Sequence, residues 1–124
     1  MRVFTTKEFG RFARKSRIGD DQLCEAIDRA QRGLMDADLG GGVIKQRVAR
    51  PGQGRSGGYR TIIAFRSADR SVFMYGFAKS GRANLTAGEL AVYKKLAVVF
   101  LGASAKELDG LLDSGELNEV ACDG

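Results

Sequence analysis

The sequence predicts an α+β fold: an N-terminal helical hairpin packed on an antiparallel β-meander, followed by C-terminal helices. Apolar residues recur at helical spacing as far as Gly33. β-Branched and aromatic runs replace them from Val43 to Lys79, and capping signatures at Thr86 and Ser104 then reopen helices. At 124 residues, 44% hydrophobic and 28% charged, the chain has the size and composition of one globular domain with one core.

Thr5-Thr6-Lys7-Glu8 offers a capping box, with Thr5 three residues before Glu8. Phe9, Phe12, Ala13 and Ser16 follow on one helical face, and Lys7, Arg11, Arg14 and Lys15 take the other. Ile18-Gly19-Asp20 is a break, after which Asp20 or Asp21 can cap a second helix with the stripe Leu23, Ala26, Ile27, Ala30 and Leu34. The runs 43–50, 59–66 and 71–79 read as strands, the last two joined by the hairpin-length linker Ser67-Ala68-Asp69-Arg70. Thr86 with Glu89 caps a helix carrying Leu90, Tyr93, Ala97, Phe100 and Leu101 on one side, and Ser104 with Glu107 caps a last one with Leu108, Leu111 and Leu112 inward. The expected architecture places these helices on one face of the sheet.

No apolar run approaches the roughly 20 residues that span a bilayer, and the N-terminus lacks the apolar stretch of a signal peptide. A cytoplasmic location without membrane partners is the resulting expectation. Cys24, on the apolar side of a helix, and Cys122, in an acidic tail, are read as plain reduced thiols. With no histidine in the chain, neither a usual zinc site nor a Cys/His nucleophile can be assembled.

The net charge is +5 and unevenly spread. Residues 1–82 hold 17 Lys and Arg against 8 Asp and Glu; residues 83–124 hold 3 against 7. Within 43–82 nine bases face the single acid Asp69. This segregation points to a polyanion, because a basic patch gains affinity by releasing counterions from phosphates; a solvated basic surface is the alternative.

Gly52-Gln53-Gly54-Arg55-Ser56-Gly57 spells the dinucleotide pattern G-x-G-x-x-G, but that motif requires a helix directly after it, and a strand-like run begins at Tyr59. The stretch reads instead as a glycine-rich hairpin loop carrying Arg50 and Arg55, either simply pliable or a mobile grip for a sugar–phosphate chain. Period-two alternation puts Lys45 and Arg47 on one face of their strand and Ile44 and Val48 on the other. Across the meander, Lys45, Arg47, Arg60 and Lys79 become neighbours, with Arg82 in the turn beyond. Carboxylate pairs are not suggested, so any chemistry falls to Lys, Arg or Tyr, which suits electrostatic stabilisation of a phosphodiester.

The order of elements, the run Lys45-Gln46-Arg47-Val48-Ala49-Arg50, the Gly58-Tyr59-Arg60 entry to the middle strand and the segment Tyr75 to Asn84 together resemble RelE/HigB-type toxins over about residues 1–101. The resemblance implies a RelE-like fold, with 1–101 as the toxin domain and 102–124 as an acidic C-terminal helical extension of it. It further implies the toxin of a type II toxin–antitoxin module: a metal-independent endoribonuclease, free of small-molecule cofactors, that cuts messenger RNA on the ribosome and is held by a helix-turn-helix antitoxin. By motif position it assigns catalytic roles to Lys45, Arg47, Arg60 and Lys79; beside them Arg50, Arg55, Tyr59 and Arg82 are read as RNA contacts. Lys45 or Arg47 would accept the proton, Lys45 being the better base since guanidinium pKa values exceed 12. Where some members place a tyrosine or histidine shortly after the last basic position, Ser80 to Thr86 hold neither. The alternatives are a ParE-like toxin, which shares the fold and inhibits DNA gyrase, and a nucleic-acid-binding module without catalysis.

Overall fold

An extended segment, β1 (Arg2–Thr6), opens the chain ahead of any helix, and it reorganises the expected topology. The computed structural model describes residues 1–49, 58–78, 81–82 and 84–122. After β1 come α1 (Lys7–Ser16), α2 (Asp20–Gln31), β2 (Ala37–Gly40), β3 (Val43–Val48), β4 (Tyr59–Arg66) and β5 (Arg70–Ala78). α3 (Ala87–Gly102), α4 (Ala105–Asp113) and β6 (Leu117–Val120) complete the described elements. The fold is α+β, but an N-terminal helical hairpin on a three-stranded meander is not what forms. A mixed six-stranded sheet, ordered β2-β3-β4-β5-β1-β6, takes its place.

The meander survives as the antiparallel run β3-β4-β5 inside that sheet. β1 lies parallel to β5, pairing Arg2 with Arg70 and Thr5 with Phe73, and antiparallel to β6, pairing Val3 with Val120 and Thr6 with Leu117. Arg2 closes the β6 pairing with a two-pronged ion pair to Glu119, both arms at 2.9 Å. The Arg2 guanidinium holds the Glu119 carboxyl below its ordinary range. The acidic C-terminal stretch, expected to be helical, therefore ends in an edge strand.

Helices cover both faces of the sheet rather than one. α1 and α2 enclose a core of Val3, Phe9, Ile27, Ile44, Val48, Ile63 and Phe73. α3 and α4 enclose a second one of Phe4, Val43, Ile62, Met74, Phe100 and Leu108. α3 is apolar nearly all round, so that Ala97 and Phe100 point inward while Val92, Val98 and Val99 stay exposed. No described helix is long and apolar enough to cross a membrane.

The helix starts follow local hydrogen bonding. Thr6, rather than Thr5, caps α1: its backbone is extended and its Oγ1 accepts the Phe9 N–H at 3.1 Å. α2 is capped at Gly19, neither Asp20 nor Asp21 serving, with Gln22 Oε1 accepting the Gly19 N–H. The boxes at Thr86/Glu89 and Ser104/Glu107 form as the sequence indicates. β2 and β3 are linked through Gly41 and Gly42, whose φ values of 62° and 82° lie in the left-handed region that glycine enters without a Cβ penalty.

The two cysteines, expected as separate thiols, form a disulfide with their Cα atoms 5.6 Å apart. Running antiparallel to β1, β6 delivers Cys122 to the α2 surface beside Cys24, a proximity that a separation of 98 residues hides from sequence spacing. Cross-linking so long a loop removes denatured-state entropy on the order of 4 kcal/mol in the chain-entropy model. Cys122→Ser should therefore lower the melting temperature by roughly 15 °C, and reductant should lower the wild type similarly while leaving the variant unmoved. Thermal melts with and without a phosphine reductant check this; a wild-type melt indifferent to reductant would contradict it.

Candidate active site

Strand alternation decides which side chains can meet. Val43, Lys45 and Arg47 point to the α3 side of β3, while Ile44, Gln46 and Val48 point to the α1/α2 side. Arg47 lies opposite Arg60 in the β3–β4 register, and Arg60 lies opposite Phe77 in the β4–β5 register. A β-bulge between Ile62 and Ile63 leaves Met74 as the extra residue of β5. By shifting the alternation one place, it puts both Met74 and Tyr75 on the α3 side, with Phe77 following. The bulge thus aims two aromatic rings at the face that carries the cations.

The platform is fixed from behind. Gln46, fully buried, donates from Nε2 to the carbonyls of Ala26 and Leu34 at 3.0 Å each, and Thr61 donates to the Gln46 carbonyl at 2.8 Å. Arg29, paired with Glu25 at 2.7 Å, donates to the Arg47 carbonyl at 2.6 Å. Gly58 enters β4 so close to β3 that a Cβ there would stand 2.1 Å from the Val48 carbonyl oxygen, which explains glycine in Gly58-Tyr59-Arg60.

On the cationic face Asp36, just ahead of β2, places its carboxylate between the two arginines: Oδ1 is 2.8 Å from Arg47 Nε and Oδ2 is 3.4 Å from Arg60 Nε. The Arg47 Nε–H is buried and not aligned for a hydrogen bond, so this contact is an ion pair only. Burial separates the two guanidiniums, since the Arg47 side chain is 42% exposed and that of Arg60 only 7%. Arg60 Nη1 is buried without a hydrogen-bond partner among the described residues. Lys45 Nζ donates to Asn84 Oδ1 at 2.8 Å.

Arg82 closes one side. Its guanidinium lies 5.5 Å from the Phe77 ring centroid, pairs with both Glu89 oxygens (Nη1 to Oε2 at 3.0 Å), and donates from Nε to the Asn84 carbonyl at 3.1 Å. That pairing, with the Thr86 N–H second, draws the Glu89 carboxyl down to about 2 and raises Arg82 further above its ordinary value. Beyond it Tyr75 stacks on Tyr93 at 5.6 Å, and Tyr93 donates to Glu8 Oε1 at 3.1 Å. Burial, reinforced by Glu8, pushes the Tyr93 phenol well up, so it stays protonated at neutral pH.

Of the residues singled out from the sequence, Lys45, Arg47 and Arg60 share this face, and Arg82 flanks it. Tyr59 does not join them: it sits on the opposite face, its ring edge-on to Phe12 at 5.3 Å in the α1/α2 core. Lys79, Arg50 and Arg55 lie outside the described residues, as does the G-x-G-x-x-G stretch, although β4 does begin at Tyr59 with no helix there. The cations are also not uncompensated. Their acids, Asp36 and Glu89, come from just outside the 43–82 window in which acids are nearly absent. Sequence reasoning missed Asp36 and the role of Asn84; of Glu8 and Glu89 it reads only capping roles. Among the described residues, no cluster of three or more His, Cys, Asp or Glu could hold a metal.

A family model described as the RelE toxin of the RelE/RelB toxin–antitoxin system matches residues 1–120, further than the expected limit near residue 101. No curated protein matches the chain.

The Arg82–Glu89 pair yields a pH test. Because the Glu89 carboxyl titrates near 2 in the folded protein against an ordinary 4.5, its stabilisation is complete above about pH 4.5 and is lost as pH falls toward 2. Glu89→Gln should melt below the wild type at pH 7, and the gap should close between those two pH values. Melts across that range test it; a gap that stays constant would exclude the linkage.

Proposed function

This chain belongs to the RelE toxin family, the toxins of toxin–antitoxin systems, and we propose that it is a ribosome-dependent endoribonuclease that cleaves messenger RNA without a metal. The observation that carries this reading is the convergence of Lys45, Arg47 and Arg60 on one face of two adjacent strands. Such a cluster suits a phosphodiester whose charge grows during reaction, because fixed cations stabilise the transition state more than the ground state.

In the proposed reaction the substrate 2′-oxygen attacks the adjacent phosphorus. The O2′–P bond forms as the P–O5′ bond breaks, leaving a 2′,3′-cyclic phosphate and a 5′-hydroxyl. Lys45 takes the 2′-hydroxyl proton, a role closed to arginine. Arg47, the more exposed guanidinium, holds the non-bridging oxygens, and Arg60 adds fixed positive charge from beneath. The proton needed by the departing 5′-oxygen comes from solvent or from a cation of the cluster. Lys79 is the remaining catalytic candidate from the sequence; Arg82, with Arg50 and Arg55, would guide the flanking strand. Tyr59, buried on the other face, is not carried forward as an RNA contact. Its partners are then an antitoxin, which the family implies, and the ribosome with its message. The antitoxin in this reading is a helix-turn-helix protein.

Purified ribosomes with a defined message, read by primer extension, test the proposal. Lys45→Ala and Arg47→Ala should each slow cleavage by roughly 10²-fold or more, and the upstream product should end in a cyclic phosphate. Intact message together with stalled gyrase would instead identify a gyrase-inhibiting toxin. Nucleic-acid binding with neither effect would leave a non-catalytic module.

A further inference from the structure

We propose that Asp36 is a positioning residue of the cleavage site: its single carboxylate sets Arg47 and Arg60 side by side in the arrangement that receives the phosphate. This rests on the nuclease reading above.

Arg47 and Arg60 are direct cross-strand partners, so their side chains leave neighbouring strands at neighbouring points. Like charges so placed destabilise a sheet and splay apart unless an anion separates them. Asp36 is that anion. It meets both guanidiniums at their inner nitrogen, Nε, at 2.8 and 3.4 Å. Its own position is fixed, since its backbone N–H donates to the Lys45 carbonyl at 3.1 Å and its side chain is only 18% exposed. The same short segment therefore touches the proposed base strand by its backbone and both arginines by its side chain.

The two arginines need this anchor unequally. Arg60 is walled in by its surroundings, whereas Arg47 is a long, half-exposed side chain whose freedom in solvent would otherwise be lost on every substrate encounter. Preorganisation by Asp36 removes that entropy cost before the phosphate arrives. Arg60 Nη1, buried and without a hydrogen-bond partner among the described residues, is a donor that the carboxylate does not satisfy.

A positioning role and simple charge balance predict opposite signs. Removing a negative charge beside a phosphate site strengthens RNA binding in either case, but only loss of positioning slows the reaction. Asp36→Asn keeps the shape and removes the charge. Single-turnover cleavage of ribosome-bound message should fall at least tenfold, with affinity unchanged or tighter, and Asp36→Glu should recover part of the rate. Cleavage by Asp36→Asn within threefold of wild type, under conditions where Arg47→Ala abolishes it, would overturn the proposal.

A readout free of catalysis separates this inference from the nuclease reading. In ¹⁵N spectra of the free protein, the Arg47 and Arg60 Nε–H signals should be slowly exchanging in the wild type, broadened in Asp36→Asn and restored by Asp36→Glu. Should Asp36→Asn fail to fold, Asp36→Ser, which also removes the charge and keeps a short polar side chain, takes its place in that comparison. Signals indifferent to the substitution would sink the positioning role. Absence of cleavage by the wild type would sink the nuclease reading instead, while the Nε–H signals still decide whether Asp36 orders the pair.

Discussion

β1 is the constraint on which the other elements depend. Five residues long, it lies between β5 and β6 and is covered on both sides, with Val3 in the α1/α2 core and Phe4 in the α3/α4 core. A strand buried on both faces has no polar side to offer water, so its backbone groups must be spent on neighbouring strands. Parallel pairing with β5 forces the intervening chain to return over the sheet, and α1 and α2 cover one face as it does so. The extended backbone of β1 runs directly into the Thr6 cap that starts α1, and its free edge gives β6 a place to dock. The Arg2–Glu119 pair and the Cys24–Cys122 bond then fasten the C-terminal end of that last strand.

The site follows from the same sheet by alternation and one interruption of it. Regular alternation along β3 and β4 separates Lys45, Arg47 and Arg60 from the core residues between them. The bulge at Met74 keeps Tyr75 and Phe77 on the cationic face; without it the alternation would aim them at α1. From α1, Phe12 occupies the space over Gly76 so fully that a Cβ there would sit 2.3 Å from its ring. The small residue and the bulge act together: one admits the aromatic packing on the α1 side, and the other presents rings to the α3 side. Arg82 over Phe77 is a product of that placement.

The meander and both C-terminal helix starts were legible because their signals are local. β-Branched runs of six to nine residues and Ser/Thr-x-x-Glu boxes need no tertiary partner to be recognised. β1, β2 and β6 were not legible, for different reasons. β2 reads Ala-Asp-Leu-Gly and β6 Leu-Asn-Glu-Val, compositions that favour strand only when a partner edge is present. In β1, Thr5 and Thr6 mimic a helix cap as readily as they continue a strand; the cap falls at Thr6, where the residue three places on is Phe9, so the expected box with Glu8 does not form. The place of Tyr59 was legible in the sequence. It is adjacent to Arg60 in a strand, so alternation alone already put it on the opposite face. Asp36 had no such signal, since its role comes from a loop folding back against β3 and not from any spacing in the chain.

The presence of a carboxylate in a proposed phosphate site looks contrary until the charges are weighed. Arg82 is neutralised by Glu89, so it adds geometry and stacking more than field. Among the described residues, Arg47 and Arg60 stand against Asp36, and Lys45 becomes the third cation as it takes the 2′-hydroxyl proton, which makes three positive charges to one negative. The surplus of two equals the charge of a dianionic phosphorane, whereas the ground-state diester carries a single negative charge. A site in surplus by three would leave its two guanidiniums repelling each other with no anion between them, splayed from the positions that meet that charge. With Asp36 in place, the attraction is matched to the charge that develops, and the guanidiniums meet it already oriented. One carboxylate thereby reconciles two demands that oppose each other in a bare arginine pair: enough positive charge for the transition state, and arginines held close enough together to share it.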